Sequence, residues 1–201
     1  MNIYCETNFI LEIVFAQEES IYCEKLISLC QRKKIRIILP SYSFAESIYR
    51  LENQIKLQNN FQKDLNSQIT HFSRNSRNIQ QIKTFSELDT FLNKNTEDST
   101  KRLEECRKVL TKNAELISFD ENVLKKVNSV KSKYDLTLQD AIIFTSILSH
   151  LQQNKASQSC FLNRNAKDFS TSEIKTKLKS LNCKLIPSFE DGLKFIYSQI
   201  K

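Results

Sequence analysis

The sequence predicts a small α/β sandwich that carries a helical insertion. Near the beginning of the chain and again towards its end, short apolar runs alternate with stretches of helical periodicity, which favours parallel β-α-β units. The segment between these two parts shows helical periodicity alone. The chain has one glycine and two prolines, so it lacks the turn residues that an all-β sandwich with many tight turns requires.

Length and composition indicate one globular domain over residues 1–201. A chain of 201 residues buries about 70% of the surface that its unfolded form exposes, so it can fold without disulfide bonds or a structural metal. Hydrophobic residues make up 40% and charged residues 26% of the chain, which is ordinary for a globular protein. The single glycine excludes glycine-rich phosphate loops and dinucleotide fingerprints, because both need several glycines for backbone turns and close approach to phosphate.

The first part of the chain contains two predicted strands, each followed by helix. Residues 3–5 form a short β-type run, after which Thr7 or Asn8 can cap a helix. A second helix is expected from about residue 18 to residue 32. Residues 35–39 are typical of a buried strand, and a third helix is expected beyond it.

A helical insertion or arm is predicted over residues 53–112. Its apolar side chains recur at intervals of three or four residues, as on one face of a helix. The polar, basic stretch 73–78 suits a hinge between two antiparallel helices, and Asp98 or Ser99 can cap a further helix. We therefore expect a helical hairpin inserted into the α/β domain.

Strand and helix alternate again after the insertion. Three further strands are predicted at residues 115–118, 159–162 and 183–186. The strand at residues 159–162 is followed by a predicted polar loop over residues 163–169. The helices of this part are expected to begin at or beside four residues with side-chain hydroxyls or carboxylates: Asp120, Thr137, Ser172 and Ser188.

The charge of the chain indicates a polyanionic partner, with nucleic acid the first candidate. Thirty basic residues against 23 acidic ones leave a formal charge of +7, and a basic surface raises the local concentration of polyanions. The six cysteines contain no C-x-x-C pair, so no zinc site is predicted. No apolar run approaches the ~20 residues that span a bilayer, and the N-terminus lacks a basic leader region. We expect a cytoplasmic protein with no membrane segment.

Several oxygen-bearing side chains follow the predicted strands, where ligands collect in open parallel sheets. Glu6 directly follows the first strand, Glu46 lies in the first turns of the helix after the second, and Asp140 opens the helix that begins at Thr137. Carboxylates from several elements are what a Mg²⁺ or Mn²⁺ site for phosphodiester hydrolysis requires. Capping and the helix dipole also explain Glu46 and Asp140 when each is taken alone. The strand at 159–162 is followed by three more candidates: Asn163, Asn165 and Asp168.

Four short motifs contain these candidate residues. The first two read Cys5-Glu-Thr-Asn-Phe-Ile-Leu-Glu12 and Pro40-Ser-Tyr-Ser-Phe-Ala-Glu46. The other two read Leu136-Thr-Leu-Gln-Asp-Ala-Ile-Ile143 and Phe161-Leu-Asn-Arg-Asn-Ala-Lys-Asp-Phe169. In this order they resemble the motifs of the PIN domain family over nearly the whole chain apart from the insertion. The resemblance implies a three-layer α/β/α sandwich with a central parallel sheet.

The resemblance also implies a Mg²⁺- or Mn²⁺-dependent endoribonuclease that hydrolyses single-stranded RNA, as in VapC-type toxins and related RNA-processing proteins. By their positions in the motifs, Glu6, Glu46 and Asp140 would hold the metal. Asn165 would take the fourth catalytic position, with Asp168 beside it as an acidic substitute. Thr7 or Asn8 would orient the first carboxylate, Glu6, and Asn163 would be a further supporting residue. An antitoxin-like protein partner, or a homodimer formed through the arm, would suit such a fold.

Two positions depart from the residues that are usual in the family. The first family carboxylate is usually Asp and is Glu6 here, and the fourth position carries Asn165 rather than Asp. The alternative interpretation is therefore a PIN-fold module that binds RNA or protein with weakened catalysis. A third interpretation is an interaction scaffold that uses the helical arm, in which the acidic residues act only as caps.

Basic residues in and after the fourth motif are expected to rim the acidic pocket: Arg164, Lys167 and Lys175. Phosphate contacts from these side chains would position a nucleic-acid strand without reading its sequence. The insertion carries a net positive charge over residues 53–95, which a solvated helix surface explains as well as RNA contact does.

Overall fold

The computed structural model describes residues 1–74, 79–154, 158–164 and 166–200, with the backbone alone described for 79–86 and 166–167. The strands are β1 (Asn2–Cys5), β2 (Arg36–Pro40), β3 (Glu115–Ile117), β4 (Ser159–Leu162) and β5 (Cys183–Ile186). The helices are α1 (Thr7–Val14), α2 (Ser20–Gln31), α3 (Tyr42–Phe72), α4 (Ile79–Asn113), α5 (Glu121–Tyr134), α6 (Leu138–Gln153), α7 (Ala166–Phe169), α8 (Ser172–Ser180) and α9 (Phe189–Gln199). All five predicted strands are confirmed.

The strands form a parallel sheet in the order β3-β2-β1-β4-β5. β1 lies at its centre, with Cys5 opposite Leu162 of β4 and Tyr4 opposite Ile38 of β2. Because every strand runs in the same direction, the residues that follow them emerge at one edge of the sheet. This strand order places the chain segments that follow β1, β2 and β4 side by side.

Helices cover both faces of the sheet, which confirms the predicted three-layer α/β/α sandwich. Successive side chains of a strand point to opposite faces, so Ile3 and Cys5 enter one core while Tyr4 enters the other. The first core is completed by α1, α2, α9 and the ends of α3 and α4 nearest the sheet. The second is completed by α5, α6 and α8. Burial on both faces explains why the strands read as continuous apolar runs.

The insertion is a pair of long antiparallel helices, α3 of 31 residues and α4 of 35 residues. Gln58 donates hydrogen bonds from Nε2 to the carbonyl of Leu92 at 2.6 Å and to Thr96 Oγ1 at 2.7 Å. Gln62 makes the equivalent contacts with Asp89 at 2.8 Å and Asn93 at 3.0 Å. Amide hydrogen bonds therefore join the two helices along the arm.

Two details of the predicted arm differ in the structure. The expected cap at Asp98 or Ser99 is wrong, because both residues lie inside α4 and Ser99 Oγ accepts a hydrogen bond from Arg102 at 3.0 Å instead of capping a helix. α3 passes residue 53 without a break, so the arm continues the helix that carries Glu46. Most of the predicted hinge, residues 75–78, lies outside the described residues.

The predicted polar loop over 163–169 is also corrected in part, since Ala166–Phe169 forms a helical turn. The turn is held in place by Phe169, which is buried and packs edge-to-face on Phe161 and Phe144 with ring centroids 5.5 Å and 5.8 Å away. In the described part of the chain, no helix combines the length and the apolar character that crossing a membrane demands.

Gly192 in α9 packs directly against β4, and its replacement is expected to destabilise the protein. A Cβ at this position would lie 2.6 Å from Leu162 Cδ2 and 2.8 Å from Cδ1, and Leu162 is completely buried. Overpacking costs about 1–3 kcal/mol, whereas alanine gains about 0.5–1 kcal/mol in helix propensity. We expect Gly192→Ala to lower the free energy of unfolding by about 1 kcal/mol, measured by urea titration.

The control for this prediction is the same substitution in a Leu162→Ala background. There the colliding methyl groups are gone, so Gly192→Ala should stabilise the protein through helix propensity alone. A Gly192→Ala effect of the same sign in both backgrounds would contradict the steric explanation.

Candidate active site

Glu6 links β1 to α1 and is almost fully buried, with 4% of its surface exposed. Its backbone is extended, and its Oε2 accepts a hydrogen bond at 2.8 Å from the N–H of Asn8, so Glu6 is the N-cap of α1. Its other oxygen, Oε1, is buried and has no hydrogen-bond partner among the described residues. A buried acceptor without a donor is costly, which marks this oxygen as a candidate ligand atom.

The predicted cap at Thr7 or Asn8 is therefore wrong, because the residue one position earlier takes that role. Asn8 orients Glu6 through its backbone N–H. Thr7 donates a hydrogen bond of 2.7 Å from Oγ1 to Glu46 Oε2. The two supporting residues thus hold two different carboxylates, one from each of the first two motifs.

Glu46 lies in the second turn of α3 with 9% of its side chain exposed. Besides Thr7, it contacts Arg50 one turn further along the helix, with Nη2 to Oε1 at 3.3 Å. α3 begins directly after β2, which explains how Glu46 reaches the same edge of the sheet as Glu6.

Asp140 lies in the first turn of α6, and the structure confirms the capping interaction that the sequence predicts. Its N–H donates to Thr137 Oγ1 at 3.2 Å, and Thr137 Oγ1 donates to Asp140 Oδ2 at 2.6 Å. The cap orients the carboxylate as well as the helix, so capping and a role in the site are compatible for this residue.

Burial and nearby negative charges act on two of the candidate ligands, Glu6 and Asp140. The pKa of Glu6 is raised to about 8, mainly by burial and further by the charges of Glu46 and Asp140, against the lowering effect of the Asn8 N–H. Burial also raises the pKa of Asp140, and the charges of Asp168 and Glu46 add to this effect while Thr137 and Arg50 oppose it. A like charge acts on a carboxyl pKa only over a short distance, so Glu46 and Asp168 lie in the neighbourhood of Asp140, and Glu46 in that of Glu6.

The described residues contain no set of three or more acidic, histidine or cysteine side chains that is arranged to hold a metal ion. Glu46 is directed towards Thr7 and Arg50, and Asp140 towards Thr137. The chemistry of the donor set nevertheless fits a hard cation, because it consists of carboxylate oxygens and includes the unpartnered Oε1 of Glu6.

The structure describes two of the three candidate residues of the fourth motif. Asn163 follows β4, is buried, and donates its N–H to the carbonyl of Ile186 at 3.1 Å. Asp168 is half-buried on α7 and contributes its charge to the field at Asp140. Asn165 lies outside the described residues, so its role stays a prediction.

The basic residues expected on the rim lie in different surroundings. Arg164 contacts two carboxylates, Glu12 through Nη1 and Glu18 through Nη2, the latter at 2.6 Å. The side chain of Lys167 is not described. Lys175 lines a separate cleft beside the edge strand β5, next to Lys184, rather than the neighbourhood of the carboxylates.

Glu12 is a residue whose importance the sequence analysis missed. Its side chain is only 2% exposed, and besides Arg164 it accepts a hydrogen bond of 2.9 Å from the N–H of Glu19. A carboxylate inside the apolar run of α1 is the signal that could have revealed it, because a buried charge needs a partner.

Two clefts open beside the carboxylates. The first, of about 690 Å³, lies along α1 and is lined by Asn8, Glu12, Glu18 and Arg164 among others. The second, of about 680 Å³, lies along α3 and includes Glu46, Arg50, Tyr49 and Gln139. We call them the α1 cleft and the α3 cleft.

The raised pKa of Glu6 makes the stability of the metal-free protein depend on pH. Between about 4.5 and 8 the folded protein holds a proton on Glu6 that the unfolded chain has lost, so the free energy of unfolding falls as pH rises through this window. The slope from this carboxyl is at most about 1.4 kcal/mol per pH unit. Glu6→Gln should flatten the dependence in urea titrations with EDTA between pH 5 and 8.

The exposed Glu52→Gln variant is the control and should keep the wild-type slope. Equal slopes for wild type and Glu6→Gln would show that Glu6 is already ionised in the folded protein.

Comparison with known proteins adds the following findings. A search of curated proteins returned no significant match. Among solved structures, the chain is similar to one in the crystal structure of VapBC2 from Rickettsia felis bound to a DNA fragment from their promoter, with 15% sequence identity and a TM-score of 0.48, covering 92% of this chain and 98% of the other.

The sequence also matches the family model of the PIN domain over residues 3–169. This match begins in β1 and ends at the last residue of α7, so it includes all four motifs and the segments that carry the interacting carboxylates. The chain belongs to the PIN domain family.

Proposed function

We propose that this protein is a Mg²⁺- or Mn²⁺-dependent endoribonuclease that hydrolyses phosphodiester bonds of single-stranded RNA. The observation that carries the proposal is that four carboxylates lie near one another at the carboxyl edge of a parallel sheet: Glu6, Glu46, Asp140 and Asp168. Repulsion among neighbouring carboxylates destabilises the fold, and a bound cation would relieve it. Membership of the PIN family, whose members are typically nucleases, agrees with this proposal.

Glu6, Glu46 and Asp140 are the residues that would hold the cation. Thr7 would keep Glu46 in place, Asn8 would keep Glu6 in place through its N–H, and the cap at Thr137 does the same for Asp140. A bound cation would supply a water of lowered pKa and stabilise charge that develops on the phosphate.

The burial of Glu6 raises the pKa of its carboxyl and therefore affects whether it is protonated at neutral pH. With a pKa of about 8 it is mostly protonated at neutral pH, so it must release a proton to become a ligand. Asp168, together with Asn165 at the predicted fourth position, would supply further polar groups to the site from the segment that follows β4. Cation binding should therefore strengthen as pH rises towards 8.

A second candidate function is an RNA- or protein-binding module with weakened catalysis. It is favoured by the finding that, as the described residues are placed, no three candidate ligands are arranged to hold one metal ion. It is also favoured by Glu6 and Asn165, which stand at positions where the family usually has Asp.

The biological setting is proposed from the motif resemblance. A toxin-like role would imply an antitoxin-like protein partner, and an RNA-processing role is the other setting that the resemblance implies. The arm formed by α3 and α4 would offer a surface for a homodimer. We place the protein in the cytoplasm, because all six cysteines are free and buried, as is usual in a reducing compartment.

The experiment is cleavage of an end-labelled single-stranded RNA in Mn²⁺, in Mg²⁺ and in EDTA, together with the melting temperature under the same conditions. A nuclease gives products only with metal, and the metal raises the melting temperature because it binds the folded state. Salt-dependent RNA binding without metal-dependent products would favour the binding module. A melting temperature that metal leaves unchanged, without RNA binding, would contradict both functions.

A further inference from the structure

The α1 cleft and the α3 cleft differ in the chemistry of their walls. The α1 cleft has two carboxylates, Glu12 and Glu18, against the single guanidinium of Arg164, and no aromatic residue lines it among the described residues. Arg164 is already bonded to both carboxylates. A phosphate chain entering this cleft would meet net negative charge and no surface on which a base can stack.

The α3 cleft begins at Glu46 and follows one side of α3 towards the arm. Tyr42 and Tyr49 line it together with the amide side chains of Asn53, Gln54 and Gln139. Its charged groups are Glu46 and Arg50, so the described lining carries no excess of negative charge. The residue next to Gln139 in the chain is Asp140, which places this cleft beside two of the proposed metal ligands.

Of the two tyrosines that line the α3 cleft, Tyr49 is open to solvent and Tyr42 is half-buried. Tyr49 is 59% exposed, although it lies on the inner turns of α3 and not on the distant part of the arm. Tyr42 packs against Phe119, itself 41% exposed, with ring centroids 6.2 Å apart. An exposed ring beside an acidic site is suited to stacking, because every nucleobase presents a π-face.

The polar groups of the cleft complement a nucleotide as well. The side chain of Arg50 is 60% exposed and uses one of its nitrogens for Glu46 at 3.3 Å. Guanidinium carries five N–H donors, so others remain for a phosphate oxygen. The amides can bond the Watson–Crick edges of bases, which are accessible in unpaired nucleotides and are occupied by pairing in an A-form duplex.

We infer that the α3 cleft binds the unpaired nucleotides that flank the scissile phosphate, with a base stacked on Tyr49 and a phosphate held by Arg50. The inference rests on the proposed function and deepens it by naming the path of the substrate. The strand leaves the carboxylates along α3, so the inserted arm extends the substrate path and the α1 cleft does not.

The test measures binding of a fluorescein-labelled single-stranded uridine decamer to the full chain by anisotropy, in EDTA and in Ca²⁺. Tyr49→Ala should weaken binding by about tenfold or more, as the loss of one stacking contact does. Tyr49→Phe keeps the ring and should retain the affinity of the wild type. Tyr197→Ala is the matched control, because Tyr197 is 53% exposed on α9 and does not line the cleft.

A second readout locates the strand directly. A decamer that carries 5-iodouridine should crosslink under ultraviolet light to the peptide that contains Tyr49. Crosslinks confined to α1 peptides, or equal affinities for Tyr49→Ala and Tyr197→Ala, would overturn the inference. A duplex of the same sequence that depends on Tyr49 as strongly as the single strand would overturn it too.

The two proposals fail in different ways. If no metal-dependent product forms but binding still depends on Tyr49, the nuclease proposal fails and the α3 cleft stands as the binding surface of the alternative module. If cleavage occurs with unchanged KM in Tyr49→Ala, the nuclease stands and the assignment of the cleft is wrong.

Discussion

Asp140→Asn is expected to lower metal-dependent cleavage of single-stranded RNA by about a hundredfold or more. The substitution keeps the size of the side chain and an oxygen for the cap at Thr137, but it removes a negative charge from the group that would hold the cation. Metal stabilisation of the transition state is worth several kcal/mol, and each 1.36 kcal/mol is a factor of ten in rate. The measurement is the initial rate of cleavage in saturating Mn²⁺.

The chain offers a closely matched control in Asp191→Asn. Asp191 lies at the equivalent position of α9, where its N–H donates to Ser188 Oγ at 3.2 Å, as the N–H of Asp140 does to Thr137 Oγ1. Both substitutions remove a first-turn carboxylate from a capped helix, but Asp191 is not among the interacting carboxylates. Wild-type cleavage by Asp191→Asn together with loss in Asp140→Asn would assign the effect to the site. Equal cleavage by both variants would show that Asp140 is not a ligand.

Arg164→Ala is expected to lower the free energy of unfolding by about 3–5 kcal/mol, because it leaves a buried charge without its partner. Glu12 is 2% exposed, and Arg164 is the cation that contacts it in the structure. The N–H of Glu19 remains as a donor but does not neutralise the carboxylate. Urea titration at pH 7 measures the change.

Two variants test this explanation. Arg107→Ala removes an exposed ion pair with Glu104 and should cost at most about 1 kcal/mol. Glu12→Gln combined with Arg164→Ala removes both charges and should recover much of the lost stability. If Arg164→Ala costs no more than Arg107→Ala and instead weakens RNA binding, Arg164 is the rim residue that the sequence predicts and not a structural partner of Glu12.

Much of the fold could be predicted because its signals are local. The alternation of strand and helix, and the caps at Asp120, Thr137 and Ser188, depend on residues within a few positions of one another. The caps confirm this directly, since each joins a side chain to an N–H three residues later. The cap of α1 was misplaced by one residue because three consecutive side chains, from Glu6 to Asn8, can each serve as a cap.

Two of the candidate carboxylates could be placed from their positions after the strands. In a parallel sheet, strand direction brings Glu6 and Glu46 to one edge, whereas Asp140 follows helix α5 and only the motif resemblance assigns it to the site. Their detailed partners could not be predicted in the same way. Thr7 or Asn8 is expected to orient Glu6, and Asn8 takes this role, whereas Thr7 bonds Glu46, 39 residues away.

The sequence by itself determined the strands, the helix periods, the family motifs and the residues that end each strand. Only the tertiary structure decided that Arg164 neutralises Glu12 across 152 residues, that Lys175 lies beside β5, and that an aromatic cleft follows α3. The physical reason is the distance along the chain over which each kind of interaction acts. Capping and periodicity act within one or two turns of chain, whereas a charge pair or a cleft exists only after the layers have packed and have set which distant side chains meet.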